Sequence, residues 1–215
     1  MASTPDRRFS IPTIRRLPGY YAFLEHAAAK GIMAISSATI AGHLNIDPIM
    51  VRKDLESIGA AGRPKIGFNV AELLAVIKEF MGWGRLDELI IAGCGDLGAA
   101  LMGYKGFPRR GFRIVAGFDR DPALEGKTIH GIQVFPMEKM ANLIARLHIE
   151  IGLIAVPAEA AQQVADQMIT GGVRGIWNFS SAALKVPKRV LVQQEDLTAS
   201  LVILQKNLLK ETVPS

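Results

Sequence analysis

The chain has 215 residues, 49% hydrophobic and 21% charged, with one cysteine and four scattered histidines, a globular composition that excludes a disordered chain, a disulfide framework and a cysteine-rich zinc site. No apolar run approaches a membrane span and Met1 to Phe9 is polar and charged, so neither leader nor anchor is expected and a reducing cytoplasm is the expected compartment. The net charge of +5 is concentrated at the front, with 11 basic against 7 acidic side chains over residues 1–86 and 14 against 13 in the remainder; such a patch attracts polyanions but does not by itself identify one.

Residues 12–58 read as helices. From Thr13 to Lys30 the apolar Ile14, Leu17, Tyr21 and Leu24 follow at spacings of 3, 4 and 3, one helical stripe, with Gly31 as the stop. Ser37 to Leu44 predicts a short second helix capped by Ser36 or Ser37. Asn45 tolerates a left-handed backbone and ends it, while Asp47 caps a third helix that opens on Pro48 and runs to about Ile58. Ala60 to Phe68 has three Gly or Pro among nine residues and reads as a hairpin-like loop carrying Arg63 and Lys65. A helix from Val70 to Phe80 follows, and Gly82-Trp83-Gly84 marks a domain boundary.

From Leu86 the pattern changes. Strands at Leu89 to Ala92, Phe112 to Phe118, Ile151 to Val156, and shorter ones near Gly175 to Asn178 and Val190 to Val192, alternate with helices Asp96 to Tyr104, Pro136 to Leu147 and Ala158 to Thr170. Continuous apolar strands separated by helices predict an α/β domain whose parallel sheet is covered on both faces. A last helix, Asp196 to Lys210, carries Leu197, Leu201, Leu204 and Leu208.

Two segments carry chemistry. Gly93-Cys94-Gly95-Asp96-Leu97-Gly98 is a GxGxxG between a predicted strand and a predicted helix, and Asp119 ends the next strand 26 positions after Gly93. Gly93 allows the tight turn, Gly95 lets backbone approach a pyrophosphate, and Gly98 lets helix and strand pack closely, with the helix N-terminus facing the anion. Asp119 would accept from a ribose diol and repel a 2′-phosphate, which points to NAD(H). A glycine-rich turn that binds nothing, or another nucleotide, is the bland alternative.

The second segment is the helix, turn and helix from Ser37 to about Ile58. Ala41 sits where two crossing helices approach, Asn45 falls in the turn four residues later, and Val51 faces inward six residues after that, the spacing of a DNA-reading helix-turn-helix. Val51, Leu55 and Ile58 form the buried stripe, so Ile49, Lys53 and Glu56 face outward with Arg52 at their flank. Lys53 and Arg52 are candidate contacts to guanine or phosphate, and Ile49 to a thymine methyl. Any three-helix cluster would show such a stripe. No histidine has a partner at metal spacing, so no metal is expected. Cys94 is open to two readings, a thiol activated by the helix N-terminus or a small residue filling the loop, and Tyr104 and Phe107 either border the cofactor or pack the helix end.

Both segments, in this order, resemble the Rex family of redox-sensing transcriptional repressors. The resemblance rests on Ile14-Arg15-Arg16-Leu17-Pro18 with Tyr20-Tyr21, Val51-Arg52-Lys53-Asp54-Leu55, Gly67-Phe68-Asn69-Val70, the glycine loop, Tyr104-Lys105-Gly106-Phe107, Phe118-Asp119-Arg120-Asp121-Pro122, Val156-Pro157-Ala158 and Gly175-Ile176-Trp177-Asn178-Phe179. It implies a winged helix-turn-helix over 1–84, a Rossmann domain over 85–195, and a helix over 196–215 exchanged between the subunits of a homodimer. It also implies a non-catalytic regulator that binds pseudo-palindromic operator DNA when NAD+ predominates and releases it when NADH binds. The reduced nicotinamide ring is uncharged while the oxidised ring is positive and costly to bury, and a ligand shifts an equilibrium only through differential affinity.

The implied cofactor set adds Val156, Pro157 and Tyr104 to the loop and Asp119, together with Asp196 and Leu197, which stand where the family has an aspartate and a phenylalanine reaching the other subunit's nicotinamide. The implied DNA set joins Arg15, Arg16, Ser36, Ser37 and Asn45 to Ile49, Arg52 and Lys53, with Arg63 and Lys65 on the wing. The wing has Pro64-Lys65 where many members have Arg-Gly, and Glu56-Ser57 replaces a familiar Ser-Tyr. The alternatives are an NAD-dependent oxidoreductase with a helical accessory domain, for which Tyr104 and Lys105 alone make no catalytic constellation, and a nucleotide- or CoA-binding module, which leaves the helix-turn-helix unexplained.

Overall fold

The computed structural model describes residues 10–211, with side chains as far as residue 208; the polar stretch Met1 to Phe9 and the last residues of the expected C-terminal segment lie outside the described residues. The chain divides between Arg85 and Leu86 into two units, each with its own apolar core.

In the N-terminal unit α1 (Ile11–Ala29) starts where the Ser10 side chain accepts from the Thr13 N–H. After β1 (Ala34–Ile35), α2 (Ser37–Leu44) is capped by Ser36, which accepts from the Thr39 N–H, and ends on Asn45 at φ 52°, the left-handed conformation expected of that asparagine. Asp47 accepts from the Ile49 N–H at 2.6 Å and Pro48 opens α3 (Pro48–Ser57). β2 (Phe68–Asn69) pairs antiparallel with β1, and Asn69 caps α4 (Val70–Phe80). Sequence reading missed the β1–β2 pair, because two residues per strand are too few to show alternation.

The buried face of α1 is Thr13, Leu17, Tyr20, Leu24 and Ala27, not the expected stripe through Ile14 and Tyr21. The helix is rotated so that two hydroxyls enter the core, and the reason lies on α3. Asp54, 4% exposed, accepts from Thr13 Oγ1 at 2.8 Å, Tyr20 OH at 2.6 Å, and Arg16 through Nε at 2.6 Å and Nη2 at 2.7 Å. A buried carboxylate needs such partners to remain ionised. Burial opposes ionisation, but the Arg16, Tyr20 and Thr13 hydrogen bonds and the Arg16 charge outweigh it and hold the Asp54 carboxyl below its usual range. Burial and the Asp54 bond push the Tyr20 hydroxyl well above its own.

The C-terminal unit begins with β3 (Asp87–Ala92), followed by α5 (Asp96–Met102), α6 (Gly106–Arg109), β4 (Phe112–Asp119), β5 (Thr128–Ile129), β6 (Ile132–Pro136), α7 (Met140–Leu147), β7 (Ile151–Ile154), α8 (Ala158–Gly171), β8 (Gly175–Asn178), β9 (Leu191–Gln194) and α9 (Ala199–Glu211). Among the described residues the larger sheet has seven strands in the order β5-β6-β4-β3-β7-β8-β9. Every pair is parallel except β5 with β6. On β3, Leu89 and Ile91 enter the core on one face while Ile90 and Ala92 enter the other, as a covered parallel sheet requires. The helix expected from Pro136 starts at Met140, because Pro136 ends β6 paired with Asp119 and a single 3₁₀ turn intervenes.

Successive strands run outward from β3 to β4 and β6, then return to its other side at β7. The crevice at the carboxyl ends of β3, β4 and β7 is therefore the topological switch point, where open α/β sheets bind ligands.

Replacing Asp54 by Ala leaves the Arg16 guanidinium without its carboxylate, and the N-terminal unit is expected to lose about 3–5 kcal/mol in urea unfolding. Because the folded Asp54 pKa is depressed, its contribution is present above the unfolded value of ~3.9 and disappears as pH falls through the lower folded value. The raised Tyr20 pKa acts at the other end, and stability falls once pH rises above ~10, where only the unfolded chain loses that proton. Thermal melts across pH should show both flanks in the wild type and neither at full size in Asp54→Ala.

Candidate nucleotide cleft and nucleic-acid face

The turn from β3 to α5 is fixed from both sides. The Gly93 N–H donates to the Phe118 carbonyl at 2.8 Å and the Cys94 N–H to Asp119 Oδ2 at 2.7 Å, while the Ala155 N–H donates to the Ala92 carbonyl at 2.8 Å. The three glycines have different roles. Gly93 has φ +92°, and a Cβ there would stand 2.3 Å from the Ala155 carbonyl oxygen. A Cβ at Gly98 would stand 1.8 Å from the Gly93 carbonyl oxygen, whereas one at Gly95 would meet nothing within 4 Å. Gly93 and Gly98 are demanded by the chain's own packing; Gly95 is open towards solvent. The first-turn N–H groups of α5 have no acceptor within their own helix, and no side chain caps them.

A cleft of about 400 Å³ lies here. Gly93, Gly95, Asp119, Val156 and Pro157, all expected at a nucleotide site, line it together. Arg120, Met137, Glu138, Ala155, Ala160, Gln163, Val164 and Gln167 complete the wall. Ala160, Val164 and Gln167 repeat at helical spacing on α8, a signal present in the sequence but not used there. Asp119 is half-buried and also accepts from the Asp121 N–H through Oδ1 at 2.9 Å. Each oxygen thus holds one backbone donor and keeps lone-pair capacity for a ribose hydroxyl.

Cys94 is buried. Burial first, and the Asp119 charge second, push its thiol up to about 12. The reading of Cys94 as an activated thiol is corrected on that ground: the residue fills the loop, its Sγ 3.6 Å from the Phe118 carbonyl oxygen. Asp96 and Leu97 start α5 on its exposed side, and Gly98 is buried beneath them. Tyr104 does not line the cleft; it is exposed, with its ring 5.0 Å from Phe107, which in turn lies 6.0 Å from Trp177. Asp196 and Leu197 also lie outside their own chain's cleft. Asp196 accepts from the Thr198 N–H and hydroxyl, which hold its carboxyl below the usual range, and Leu197 is 64% exposed.

Sequence reading missed the support of this segment. Asn178, wholly buried at the end of β8, accepts from the Ser180 N–H and hydroxyl and donates to the Ala182 carbonyl and to Gln194 Oε1. That network pins β9, from which the chain leads to Asp196.

In the N-terminal unit Ile49, Arg52 and Lys53 are exposed on α3 as expected, and Val51 and Leu55 are buried. Asn45 is exposed at the turn, Ser36 is occupied as a cap, and Ser37 is half-buried. Arg15 is exposed, but Arg16 departs from the expectation that grouped it with the DNA-facing cations: Nε and Nη2 are committed to Asp54. The hairpin between α3 and β2 closes through Arg63 and Gly67, which exchange backbone hydrogen bonds of 2.7 and 2.9 Å. Lys65 at φ +65° and exposed Ile66 form its tip, and Arg63 reaches Glu72 at 3.9 Å. Helix-turn-helix plus such a hairpin makes a winged helix. Among the described residues no group of His, Cys, Asp and Glu could hold a metal ion, and no helix is long and apolar enough to cross a membrane.

Two family descriptions match the chain, "Putative DNA-binding protein N-terminus" over residues 9–56 and "CoA binding domain" over residues 86–182. Similar curated proteins include the redox-sensing transcriptional repressor Rex of Pelotomaculum thermopropionicum, 43% identical over 93% of each chain. The Rex of Treponema denticola is 39% identical over 90% of this chain and 92% of the relative. Among solved structures, the repressor RSP in complex with β-NAD+ and operator DNA superposes with a TM-score of 0.87 at 33% identity over 94% of each chain. The same repressor in complex with β-NADH gives 0.86 at 32% identity over 96% of this chain and 97% of that one.

The glycine geometry separates folding from binding. Gly98→Ala is expected to lower the stability of the C-terminal unit by about 1–3 kcal/mol, because the new methyl must displace backbone. Gly95→Ala should leave the melting temperature unchanged within about 1 °C. Equal melting temperatures for the two variants would contradict the assignment.

Proposed function

The chain belongs to the Rex family of redox-sensing transcriptional repressors, and from that premise we propose how its residues divide the work. The protein is a repressor that senses the NADH/NAD+ ratio, holding operator DNA when NAD+ predominates and releasing it on binding NADH; it is a regulator and not an enzyme, which sets the oxidoreductase alternative aside. One observation carries the reading: a single chain holds both an exposed cationic recognition helix and a switch-point cleft whose middle glycine is open.

Residues 1–84 are the DNA-binding domain. Lys53 and Arg52 meet base edges and phosphates, Ile49 reads a thymine methyl, and Arg15, Ser36, Ser37 and Asn45 seat the helix-turn-helix on the backbone. Arg63 and Lys65 bring positive charge to the wing. Arg16 acts indirectly, by holding α1 against α3 through Asp54.

Residues 85–195 hold NAD(H). The loop from Gly93 to Gly98 faces the pyrophosphate, the free lone pairs of Asp119 take the ribose diol, and Val156 and Pro157 supply apolar wall. The coenzyme brings a nicotinamide ring that is uncharged when reduced and positive when oxidised, so an apolar surrounding favours the reduced form. Residues 196–215 pair two copies into a homodimer that matches a pseudo-palindromic operator. In that pairing Asp196 and Leu197 reach the other copy's cleft near Tyr104. The exposure of Leu201, Val202, Ile203 and Leu204 supports it, since a short apolar helix owes its stability to what it packs against. The cytoplasm is the compartment we propose, because an operator is the partner proposed.

Gel shifts across NADH/NAD+ ratios test the reading, with release at high NADH expected. Lys53→Ala should weaken operator binding by about 1–3 kcal/mol per half-site with an unchanged calorimetric NADH affinity. Gly95→Ala should bind operator normally and fail to release it at NADH levels that free the wild type. Operator retained equally by the wild type at every ratio would overturn the sensor.

A further inference from the structure

Asn178 ends β8 on the face that Ile154 and Ile176 bury, where strand alternation calls for another apolar side chain. Its amide instead fills all four of its hydrogen-bonding positions from within the chain. Oδ1 accepts from the Ser180 N–H at 3.0 Å and from the Ser180 hydroxyl at 2.8 Å, while Nδ2 donates to the Ala182 carbonyl at 2.9 Å and to Gln194 Oε1 at 2.8 Å. Gln194 closes the cluster by donating through Nε2 to the Ser180 carbonyl. A buried amide so fully satisfied specifies one arrangement of the segments it joins.

One of those segments is the exit of the last strand. β9 lies at the edge of the sheet, pairs with β8 alone, and has all four of its residues exposed. A strand with so little burial opens easily unless something else holds its end. Asn178 does so twice: its carbonyl takes the Glu195 N–H at 2.8 Å and its side chain takes Gln194. Only Glu195 stands between Gln194 and Asp196, so the amide cluster sets the direction in which Asp196 and Leu197 leave the sheet. The same corner is tied to the cleft, because the Phe179 N–H donates to the Ile154 carbonyl at 2.9 Å, two residues before Val156 of the wall.

We propose that Asn178 and Gln194 are positioning residues for coenzyme recognition: they aim the arm that begins at Asp196, and thereby determine how closely Leu197 covers the nicotinamide in the other copy's cleft. This role rests on the reading that the arm reaches that cleft, and it adds two residues that do not line the cleft of their own chain. An arm already aimed meets the ring without giving up the freedom of a loose segment, whereas a loosened arm must be ordered as the ligand binds. Only a ligand that needs the arm is weakened. NADH needs it for its nicotinamide; adenosine diphosphate ribose, which has the pyrophosphate and ribose but no nicotinamide, does not.

The test is calorimetric titration of the full-length protein with NADH and with adenosine diphosphate ribose. Gln194→Ala should bind NADH about fivefold more weakly than the wild type, the size of one lost hydrogen bond, and adenosine diphosphate ribose within about twofold of it. Gln194 is exposed, so the variant should melt within about 2 °C of the wild type. Gln193→Ala, one residue earlier on the opposite face of β9, should bind both ligands as the wild type does, and Leu197→Ala should repeat the selective loss of NADH. If Leu197→Ala loses NADH selectively and Gln194→Ala does not, the positioning role is overturned and the reading of the arm stands. Equal weakening of both ligands in Gln194→Ala, or the same NADH loss in Gln193→Ala, means a loosened domain and also overturns the positioning role alone. No selective loss in Leu197→Ala overturns the reading of the arm and the positioning role together.

Discussion

The cleft depends on how tightly the chain turns out of β3. At the switch point that turn passes between the end of β4 and the end of β7. The Gly93 and Cys94 N–H groups are taken by Phe118 and Asp119 on one side, while the Ala155 carbonyl closes the other. No side chain fits at Gly93, and none fits at Gly98, where the helix returns over the Gly93 carbonyl. Two of the three glycines are therefore explained without any ligand. Only Gly95 of the three has room that the chain's own packing does not use, which is why the proposed function gives the ligand contact to it. Asp119 belongs to both accounts, since it holds the loop in place and keeps lone pairs for a diol.

The N-terminal unit solves a different problem with the same economy of charge. Asp54 is buried within a recognition helix, and its ionisation requires Thr13, Arg16 and Tyr20 on α1. Removing one member of such a set costs far more than the set contributes relative to an apolar core, so the cluster defines the α1–α3 arrangement more than it adds stability. It also sorts the cations. Arg16 is neutralised inside the unit, while Arg15, Arg52 and Lys53 remain outward, where a polyanion can meet them. The outward face of α3 is legible because its buried face is so fully specified.

Much of this was readable from residues alone, and the reasons differ by element. α2 and α4 were bounded correctly because their ends are punctuated, by Ser36 and Asn45 in one case and by Asn69 in the other. The glycine loop was readable because its spacing states a steric requirement. The face of α1 was read one way and folds another: apolar spacing favoured Ile14 and Tyr21, but the partner of Thr13 and Tyr20 lies 41 and 34 residues away, and no local pattern encodes it. The same distance problem assigned Arg16 to DNA. The short β5 and β6 went unseen because a two-residue strand and a five-residue strand, separated by His130-Gly131, carry little periodicity. The hydrogen-bond network of Asn178 is not legible in the sequence, because its partners Ser180, Ala182 and Gln194 carry no pattern that ties them to it.

The proposed pairing through residues 196–215 bears on why such a sensor needs two copies. One recognition helix with two outward cations and a two-cation wing makes few phosphate contacts, and its affinity alone is close to that of non-specific binding. Joining two such heads makes the second contact intramolecular, which raises avidity by orders of magnitude provided that both half-sites are reached at once. A ligand that alters the spacing of the heads therefore removes the avidity without touching a single DNA contact, and the change required at the cleft is small. Linkage sets the cost in the other direction: whatever factor NADH subtracts from operator affinity, the operator subtracts from NADH affinity. The set point of the repressor is then a property of the protein and operator together, and two operators of different strength will release the same protein at different NADH levels.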